Sequence, residues 1–326
     1  MERVKFKKLG NDELRAMLYE ICPEEKIKVF EETGDVDFGY EIPGLARYRC
    51  NFFQQKYGVG AVFREIPSEI MTCDQLGLPK VIARLAHLPK GLVLVTGPTG
   101  SGKSTTLAAI VDEANKTRKD HILTIEDPIE FVHRSQKCII NHREVGTHTK
   151  SFSSALRGAL REDPDIIMVG ELRDLETISL AMEAAMTGHL VFGTLHTINA
   201  MKTVDRIIEI FPANQQGQVR STLSDALKAV VSQTLFKRVD IKGRCAALEI
   251  LIATPAVRNL IRDSKTFQIL STMQTGKKYG MQTLDDAIME YLQKKMISAD
   301  DAYSNAVEKA KFVKFLRKPP SDFTEV

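Results

Sequence analysis

Apolar and polar positions follow two different patterns along this chain. Residues 35–66 alternate apolar and polar side chains between short glycine turns, which predicts an antiparallel β-meander. Residues 13–30, ahead of the meander, carry apolar side chains at helical spacing and predict a helix. We therefore expect a small α+β domain over residues 1–72, followed by a helix-like linker over residues 73–88.

The pattern changes at Gly91 to short, wholly apolar runs separated by helical segments. The runs read LVLVT, ILTI, IIMVG and LVFGTL, and such runs are typical of a parallel sheet that is buried on both faces. After the first run, a loop and an amphipathic helix follow in the order that a βαβ unit requires. An α/β domain is therefore predicted over residues 89–311. Its helical C-terminal part begins at about residue 255, and residues 312–326 are expected to form a flexible tail.

Composition narrows the classes of function. The chain has 326 residues, 43% of them apolar and 27% charged, as in ordinary soluble domains. Its formal net charge is +3 with both signs interspersed, so we expect no nucleic-acid partner and no polybasic membrane anchor. The five cysteines are too far apart for a CxxC zinc site and are interpreted as reduced structural thiols. Since the chain carries neither an apolar signal nor a spanning segment, we expect a cytoplasmic protein.

A glycine-rich loop carries the strongest chemical signal. Residues 97–104 read GPTGSGKS and match the phosphate-loop pattern GxxxxGK[ST], between a predicted strand and a predicted helix. Its backbone N–H groups can close around phosphates, Lys103 can reach the β and γ oxygens, and Ser104 can bind Mg²⁺. ATP and Mg²⁺ are therefore the expected cofactors. The expected nucleotide-binding residues are Gly97, Thr99, Gly100, Ser101, Gly102, Lys103, Ser104 and Thr105.

Three predicted strands deliver polar groups to the sheet edge where this loop lies. Glu130 follows ILTI, Glu171 follows IIMVG, and His196 follows LVFGTL; ligands of parallel sheets bind beyond the carboxyl ends of the strands. Glu171 is the candidate for positioning the metal, acting through water, and Glu130 for the general base, although the two roles can be exchanged. A neutral His196 could hydrogen-bond the γ-phosphate. Taken alone, each carboxylate is equally well explained as a helix cap or a solvated turn.

Four motifs, in this order, resemble those of the secretion and type IV pilus motor ATPases, and within them the pilus retraction ATPases. They are GPTGSGKSTT, TIEDPIEF, LREDPDIIMVGELRD and TGHLVFGTLHT, which look like the family's Walker A, Asp box, Walker B and His box. The resemblance implies a RecA-like P-loop NTPase core and a PAS-like N-terminal domain. It also implies a homohexamer that holds ATP between domains and couples hydrolysis to domain movement.

The resemblance implies roles for single residues. Glu130 and Glu171 look like the family's catalytic glutamates, and His196 looks like its phosphate-sensing histidine. The residues that look like its nucleotide-reaching arginines are Arg49, Arg64 and Arg206. The alternation of the meander alone would instead place the first two on a solvated face.

Residues 256–262 read AVRNLIR and are similar to the AIRNLIR helix that marks retraction motors. The matching residues are Ala256, Arg258, Asn259, Leu260 and Arg262. Retraction is further favoured because the chain lacks the four-cysteine zinc motif and the long additional N-terminal region of assembly and type II secretion ATPases. The alternative interpretation of this segment is an ordinary amphipathic helix that packs through its apolar stripe.

The implied partners are further copies of the chain, an inner-membrane pilus platform protein and a second retraction ATPase, with the motor held at the inner membrane through the pilus machine. Three alternatives stay open: a pilus-assembly or type II secretion ATPase, a RecA-like nucleic-acid translocase, and a nucleotide-gated binding module without turnover. Compared with the family the chain starts late, without an ASDLH-like segment; the expectation is an N-terminal domain that is incomplete, naturally short or cut by a truncated reading frame.

Overall fold

A computed structural model describes residues 5–66 and 69–318. The chain divides into two compact units, each described here by itself. The smaller unit contains Met1–Glu69 and Asp127–Val132, and the larger one contains Ile70–Glu126 and His133–Val326. The smaller unit therefore ends close to the predicted boundary at residue 72. It also includes the short segment that carries Glu130, which the sequence pattern assigned to the ATPase domain.

The smaller unit is the predicted α+β domain. Its described elements are α1 (Asn11–Ile21), α2 (Glu24–Thr33), β1 (Asp35–Ile42), β2 (Ala46–Gln55) and β3 (Gly58–Ile66), and the strands form an antiparallel sheet in the order β1-β2-β3. The helix predicted over residues 13–30 is broken in two, because Cys22 is extended ahead of Pro23, and proline disfavours the helical conformation in the residue before it. The helices pack through Phe30 onto Phe52 of the sheet, with the two rings edge to face.

The larger unit is built on a mostly parallel sheet. In the described residues this sheet has seven strands, in the order β10-β9-β4-β8-β7-β5-β6. Every neighbouring pair is parallel except β9 and β10, which are antiparallel. The strands are β4 (Gly91–Thr96), β5 (His121–Glu126), β6 (Ile139–Glu144), β7 (Ile166–Val169), β8 (Leu190–Leu195), β9 (Leu227–Lys237) and β10 (Arg244–Ile252).

Helices cover both faces of this sheet, as the wholly apolar strands require. The α-helices of the described part are α3 (Lys80–Leu85), α4 (Lys103–Thr117), α5 (Phe152–Ala159), α6 (Leu175–Thr187), α7 (Ala200–Glu209), α8 (Gln216–Ala226), α9 (Pro255–Arg262), α10 (Ile269–Thr275), α11 (Leu284–Gln293) and α12 (Ala299–Asn305). One core contains side chains of α5 to α10, and the other contains side chains of α3 and α4. No helix of the described residues is long and apolar enough to cross a membrane.

The four apolar runs are strands β4, β5, β7 and β8, so the predicted parallel sheet is confirmed. Strands β6, β9 and β10 were missed for a physical reason. Edge strand β6 reads IINHRE and is only partly buried, so it lacks a continuous apolar run. In β9, Ser232 and Gln233 interrupt the apolar run although both are buried.

The segment 73–88, predicted to be a linker, contributes to the core of the larger unit. Ile82 is completely buried and Leu85 is 4% exposed, and both pack in the cluster that lies under α4. Only residues Lys80–Leu85 form a helix. The linker prediction was wrong because helical spacing alone does not reveal whether an apolar stripe faces solvent or a neighbouring sheet.

The C-terminal helices form a third cluster against β9 and β10, in which Phe312 is completely buried. The prediction of a flexible tail beginning at residue 312 is therefore wrong for this residue, and residues 319–326 of that tail lie outside the described residues. All five cysteines lie in the described ranges, buried and outside any disulfide. Burial raises the pKa of the Cys50 and Cys73 thiols to about 11.

Replacing Phe312 should destabilise the larger unit. We expect Phe312→Ala to lower the free energy of unfolding by about 3 to 5 kcal/mol, because it removes a completely buried ring and leaves a cavity. Phe267→Ala is the matched control, since Phe267 is 68% exposed; its effect should stay within about 0.5 kcal/mol. Urea unfolding followed by circular dichroism measures both. Equal effects of the two substitutions would mean that Phe312 belongs to a mobile tail.

Candidate functional site

The phosphate loop connects β4 to α4 through glycines in left-handed conformations. Gly97, Gly100 and Gly102 have φ values of +142°, +78° and +86°. A Cβ atom at Gly97 would lie 2.4 Å from the carbonyl oxygen of Gln233, so both the backbone conformation and the available space demand glycine. Lys103 is buried, and its Nζ donates to the carbonyl oxygens of Gly97 (2.9 Å) and Pro98 (3.1 Å).

The residues of this loop fit a phosphate group. Helix α4 begins at Lys103 and has no side-chain cap on its first turn, so its first N–H groups can bind an anion. Ser101 Oγ is buried without a hydrogen-bond partner in the structure, as expected of a hydroxyl that binds a ligand oxygen. Ser104 and Thr105 lie half-buried on the same first turn, where the Ser104 hydroxyl could hold Mg²⁺ together with phosphate oxygens.

Strand β9 fixes the shape of the loop, and this was not apparent from the sequence. Gln233 Nε2 donates to the carbonyl oxygen of Ser101 at 2.6 Å, and Gln233 Oε1 accepts from the Thr106 hydroxyl at 2.7 Å. One buried amide therefore joins the loop to the helix that follows it. The available signal was a run of polar residues inside an otherwise apolar segment, which in a buried strand implies specific partners.

Three of the predicted site residues come together in a cleft of about 330 Å³. Glu171, His196 and Arg206 all line this cleft, together with Arg173. Glu171 follows β7, His196 follows β8, and Arg206 lies on α7. Glu171 Oε1 lies 3.1 Å from His196 Nε2, and Glu171 Oε2 lies 2.7 Å from an Arg173 guanidinium nitrogen. Arg173 was not predicted from the sequence, because its side chain is mostly exposed and gives no pattern signal.

The charges around Glu171 keep its carboxylate ionised. Burial raises the pKa of Glu171, but the hydrogen bond and charge of Arg173, with smaller contributions from His196 and Lys103, outweigh burial and lower the pKa below its ordinary value. The contribution of Lys103 also places this carboxylate within electrostatic range of the phosphate loop. At neutral pH, Glu171 is therefore a proton acceptor rather than a donor.

Gly170, which lies between β7 and Glu171, is hydrogen-bonded to both neighbouring strands, β5 and β8. A Cβ atom at Gly170 would lie 3.3 Å from the Cα atom of Glu126, which leaves little room for a side chain between β5 and β7. The Thr194 hydroxyl donates to the Gly170 carbonyl oxygen at 2.5 Å, and the Gly170 N–H donates to the Ile125 carbonyl oxygen at 2.7 Å. The position that precedes Glu171 is therefore fixed by both neighbouring strands.

Glu130, Arg49 and Arg64 lie in the smaller unit, so they are not among the residues that the larger unit brings together. Arg49 and Arg64 face each other across β2 and β3. Because side chains alternate along a strand, they point away from the face that carries Cys50 and the aromatic cluster. Arg49 Nε lies 3.8 Å from an Asp37 carboxylate oxygen. Their role in nucleotide contact, like that of Glu130, stays a prediction.

The AVRNLIR segment lies in helix α9, and none of its residues lines the cleft described above. Val257 and Ile261 are completely buried in the core, as the amphipathic interpretation requires. Arg262 contacts the Asp225 carboxylate at 3.0 Å and the Ser224 hydroxyl at 3.1 Å, both on α8. Of the matching residues, Ala256 and Asn259 are exposed, Leu260 is partly buried, and Arg258 Nε donates to the Ala253 carbonyl oxygen at 3.0 Å.

Comparison with known proteins gives consistent matches over most of the chain. Residues 56–259 match the family model described as type II/IV secretion system protein. The type IV pilus retractation ATPase PilT of Pseudomonas aeruginosa is 55% identical over 311 residues, which cover 95% of this chain and 89% of that relative. A twitching motility protein of Neisseria gonorrhoeae is 51% identical over 306 residues, which cover 94% of this chain and 82% of the relative.

Solved structures give the same result for the fold. The crystal structure of the pilus retraction motor PilT with bound ADP superposes with a TM-score of 0.85 at 47% identity, covering 91% of this chain and 84% of that chain. The ATPase DotB of Legionella pneumophila gives a TM-score of 0.78 at 29% identity, covering 92% of this chain and 85% of that chain. The predicted α/β fold class with a RecA-like core is therefore confirmed.

Removing the Gln233 amide should weaken nucleotide binding. We expect Gln233→Ala to reduce ADP affinity about tenfold, because two buried hydrogen bonds that shape the phosphate loop are lost. Isothermal titration calorimetry with ADP measures the change. The control is Asn115→Ala, since Asn115 is also a buried amide with two hydrogen bonds, donating to the Arg134 carbonyl oxygen (2.9 Å) and accepting from the Gln136 N–H (3.0 Å), but lies near the C-terminal end of α4. An unchanged ADP affinity in Gln233→Ala would contradict the proposed support of the loop.

Proposed function

This chain belongs to the family of type II/IV secretion system proteins, and we propose that it is a hexameric ATP-hydrolysing motor that drives the retraction of type IV pili. The observation that carries the proposal is the 55% identity to a type IV pilus retractation ATPase over 95% of this chain. The phosphate loop and the cleft around Glu171 supply the chemistry that such a motor requires.

Nucleotide binding rests on the phosphate loop. The glycine backbone, the buried Ser101 hydroxyl and Lys103 are arranged as a phosphate site, and the related retraction motor holds ADP. We assign the triphosphate of ATP to this loop. Mg²⁺ would be held by the Ser104 hydroxyl directly and by Glu171 through water, and it would neutralise charge on the phosphate oxygens during transfer.

Hydrolysis in this proposal uses Glu171 as an ionised carboxylate. Its pKa is lowered by Arg173, so it can accept a proton from water or hold a water in place. His196 contacts this carboxylate at 3.1 Å and can exchange that contact for one with the γ-phosphate, which would report the loss of phosphate. Glu130 is the second candidate for the general base, and the division of the two roles between the glutamates stays open.

Arg49 and Arg64 are proposed to contact the phosphates of a nucleotide. Two cations directly opposite each other on neighbouring strands repel one another. An anionic ligand between them would relieve this repulsion, and a phosphate matches guanidinium geometry well. In the proposed hexamer that nucleotide is the one bound by an adjacent copy. Arg206, which lines the cleft of Glu171, is proposed to act within the larger unit.

Retraction is favoured over assembly because the relatives that are 55% and 51% identical, over 95% and 94% of this chain, are described as a retractation ATPase and a twitching motility protein. Relatives described as type II secretion system protein E match only 58% of this chain at 40% identity. The proposed partners are therefore an inner-membrane pilus platform protein and a second retraction ATPase, at the cytoplasmic face of the pilus machine. A pilus-assembly ATPase is the second candidate, because it would need the same phosphate loop and cleft.

Glu171→Gln should separate nucleotide binding from turnover. We expect kcat for ATP hydrolysis to fall about 10² to 10⁴-fold, because the amide cannot accept the proton, while ADP affinity stays within about threefold of the parent value. A coupled phosphate-release assay and calorimetry give the two quantities. Glu183→Gln, an exposed glutamate on α6, is the control. Turnover near the parent rate in Glu171→Gln would remove Glu171 from the mechanism.

Deleting the gene in its own bacterium tests the proposed direction of work. Cells without a retraction motor should carry more surface pili than the parent strain and should lose twitching motility, because assembled pili are no longer withdrawn. Electron microscopy and stab-agar motility assays measure both. Complementation with the parent gene should restore motility, whereas Glu171→Gln should not. Cells without any pili would identify an assembly ATPase instead.

A further inference from the structure

Glu249 is a buried carboxylate on β10 that contacts the first residue of two helices. Glu249 is only 5% exposed. Glu249 Oε1 accepts from the backbone N–H of Ala200 at 2.7 Å, at the start of α7. The same carboxylate faces the backbone N–H of Leu284, at the start of α11, and this N–H lowers its pKa. Gln282, just ahead of α11, is held beside Glu249 by two backbone hydrogen bonds with Ile250 of β10 (2.8 and 3.1 Å).

The two contacts satisfy donors that the ordinary caps leave unpaired. Asn199 caps α7 by accepting from the N–H of Lys202, and Thr283 caps α11 by accepting from the N–H of Asp286. Each cap therefore leaves the N–H of the first helical residue without a partner within its helix. Glu249 supplies both partners and lies where the positive ends of two helices favour a negative charge.

Burial raises the pKa of Glu249, whereas the two backbone hydrogen bonds lower it, and the neighbouring Asp285 raises it further. A buried carboxylate is costly unless its oxygens are well paired. An uncharged amide would pair with one N–H but would present its own NH₂ donors to the other. The carboxylate is thus the side chain that can hold both helix starts at once.

Helix α7 forms part of the cleft that contains Glu171. The loop before it carries His196, and the next residue, Thr197, hydrogen-bonds through its hydroxyl to the hydroxyl of Thr203 on α7 at 2.7 Å. Arg206, on the same helix, lines the cleft. The position of the start of α7 therefore determines where the His196 loop and Arg206 lie.

Helix α11 belongs to the C-terminal cluster that also contains α12 and Phe312. We propose that Glu249 is a positioning residue for ATP hydrolysis, which ties the His196 loop to the C-terminal helices by clamping the starts of α7 and α11. The inference rests on the proposed ATPase function. It adds a connection through which a shift of His196 on phosphate loss is passed to the C-terminal helices.

Glu249→Gln is the main test variant, measured on the full-length protein. We expect kcat to fall about tenfold, because one of the two clamping hydrogen bonds is lost. The KM for ATP should stay within about twofold, since the phosphate loop is supported separately by Gln233. In a His196→Ala background, Glu249→Gln should lower kcat by less than twofold, because both substitutions act on the same step.

Asp112→Asn is the matched control. Asp112 is also a buried carboxylate with two partners, the Gln136 side-chain amide (3.1 Å) and the Lys116 ammonium (2.5 Å), but it lies on α4 and contacts neither α7 nor α11 through them. It should lower the thermal midpoint as much as Glu249→Gln does and leave kcat within about twofold. Equal losses of kcat in the two variants would show that general destabilisation is responsible, and the proposal would then be rejected.

Hydrogen–deuterium exchange, measured with bound ADP, tests the clamp without requiring ATP hydrolysis. Glu249→Gln should increase exchange at residues 196–204 and at the start of α11, whereas Asp112→Asn should affect only α4 and the segment around Gln136. If the parent protein hydrolyses no ATP but shows this pattern, the clamp stands and the proposed function fails. Unchanged exchange at residues 196–204 would overturn the clamp.

A second pair of variants serves if Glu249→Gln does not fold. Thr203→Val removes the hydroxyl that holds Thr197, whereas Thr203→Ser retains it. The valine variant should lower kcat about fivefold and the serine variant should not. Similar activity in the two variants would contradict the link between α7 and the His196 loop.

Discussion

The candidate site depends on the close approach between the β9 backbone and the phosphate loop, at the end of β4. Gly97 can adopt its conformation only without a side chain, because the Gln233 backbone lies where a Cβ atom would be. The side chain of Gln233, on β9, donates a hydrogen bond to the Ser101 carbonyl oxygen. The backbone of Gln233 thus limits the space at Gly97, and its side chain holds the loop in place at Ser101. These contacts place Lys103 and the N-terminal end of α4, which follow the loop directly.

The same larger unit uses hydrogen bonds between strand ends and loops to place Glu171. Thr194 binds the Gly170 carbonyl oxygen, so β8, which leads to His196, also fixes the residue before Glu171. The close contact between Glu171 and His196 follows from this arrangement of neighbouring strands rather than from either side chain alone. In the proposed clamp, Glu249 extends the arrangement from α7 to α11. The phosphate loop, the Glu171 cleft and the C-terminal helices would thereby be linked through polar contacts, which are specific because unpaired partners are costly.

Local sequence patterns were sufficient for the glycine-rich loop after β4 and for the four wholly apolar strands β4, β5, β7 and β8. They failed where the outcome depends on distant partners. Gln233 and Glu249 act through contacts with residues far away in the chain, and no spacing rule identifies them. Arg173 lies only two residues from its partner Glu171, but its side chain is mostly exposed and gives no pattern signal. Phe312 was assigned to a tail because its burial depends on packing against β9 and β10. The break at Pro23, by contrast, was readable from the sequence, since proline restricts the residue before it.

The proposed catalytic groups are distributed over both units of the chain. The phosphate loop, Glu171, His196 and Arg206 belong to the larger unit, whereas Glu130, Arg49 and Arg64 belong to the smaller one. In the proposed hexamer, turnover would need both sets of groups. Hydrolysis would then be coupled to the movement of whole units, because a bound triphosphate would favour the state in which both sets act. A motor requires this coupling, and a binding module without turnover does not.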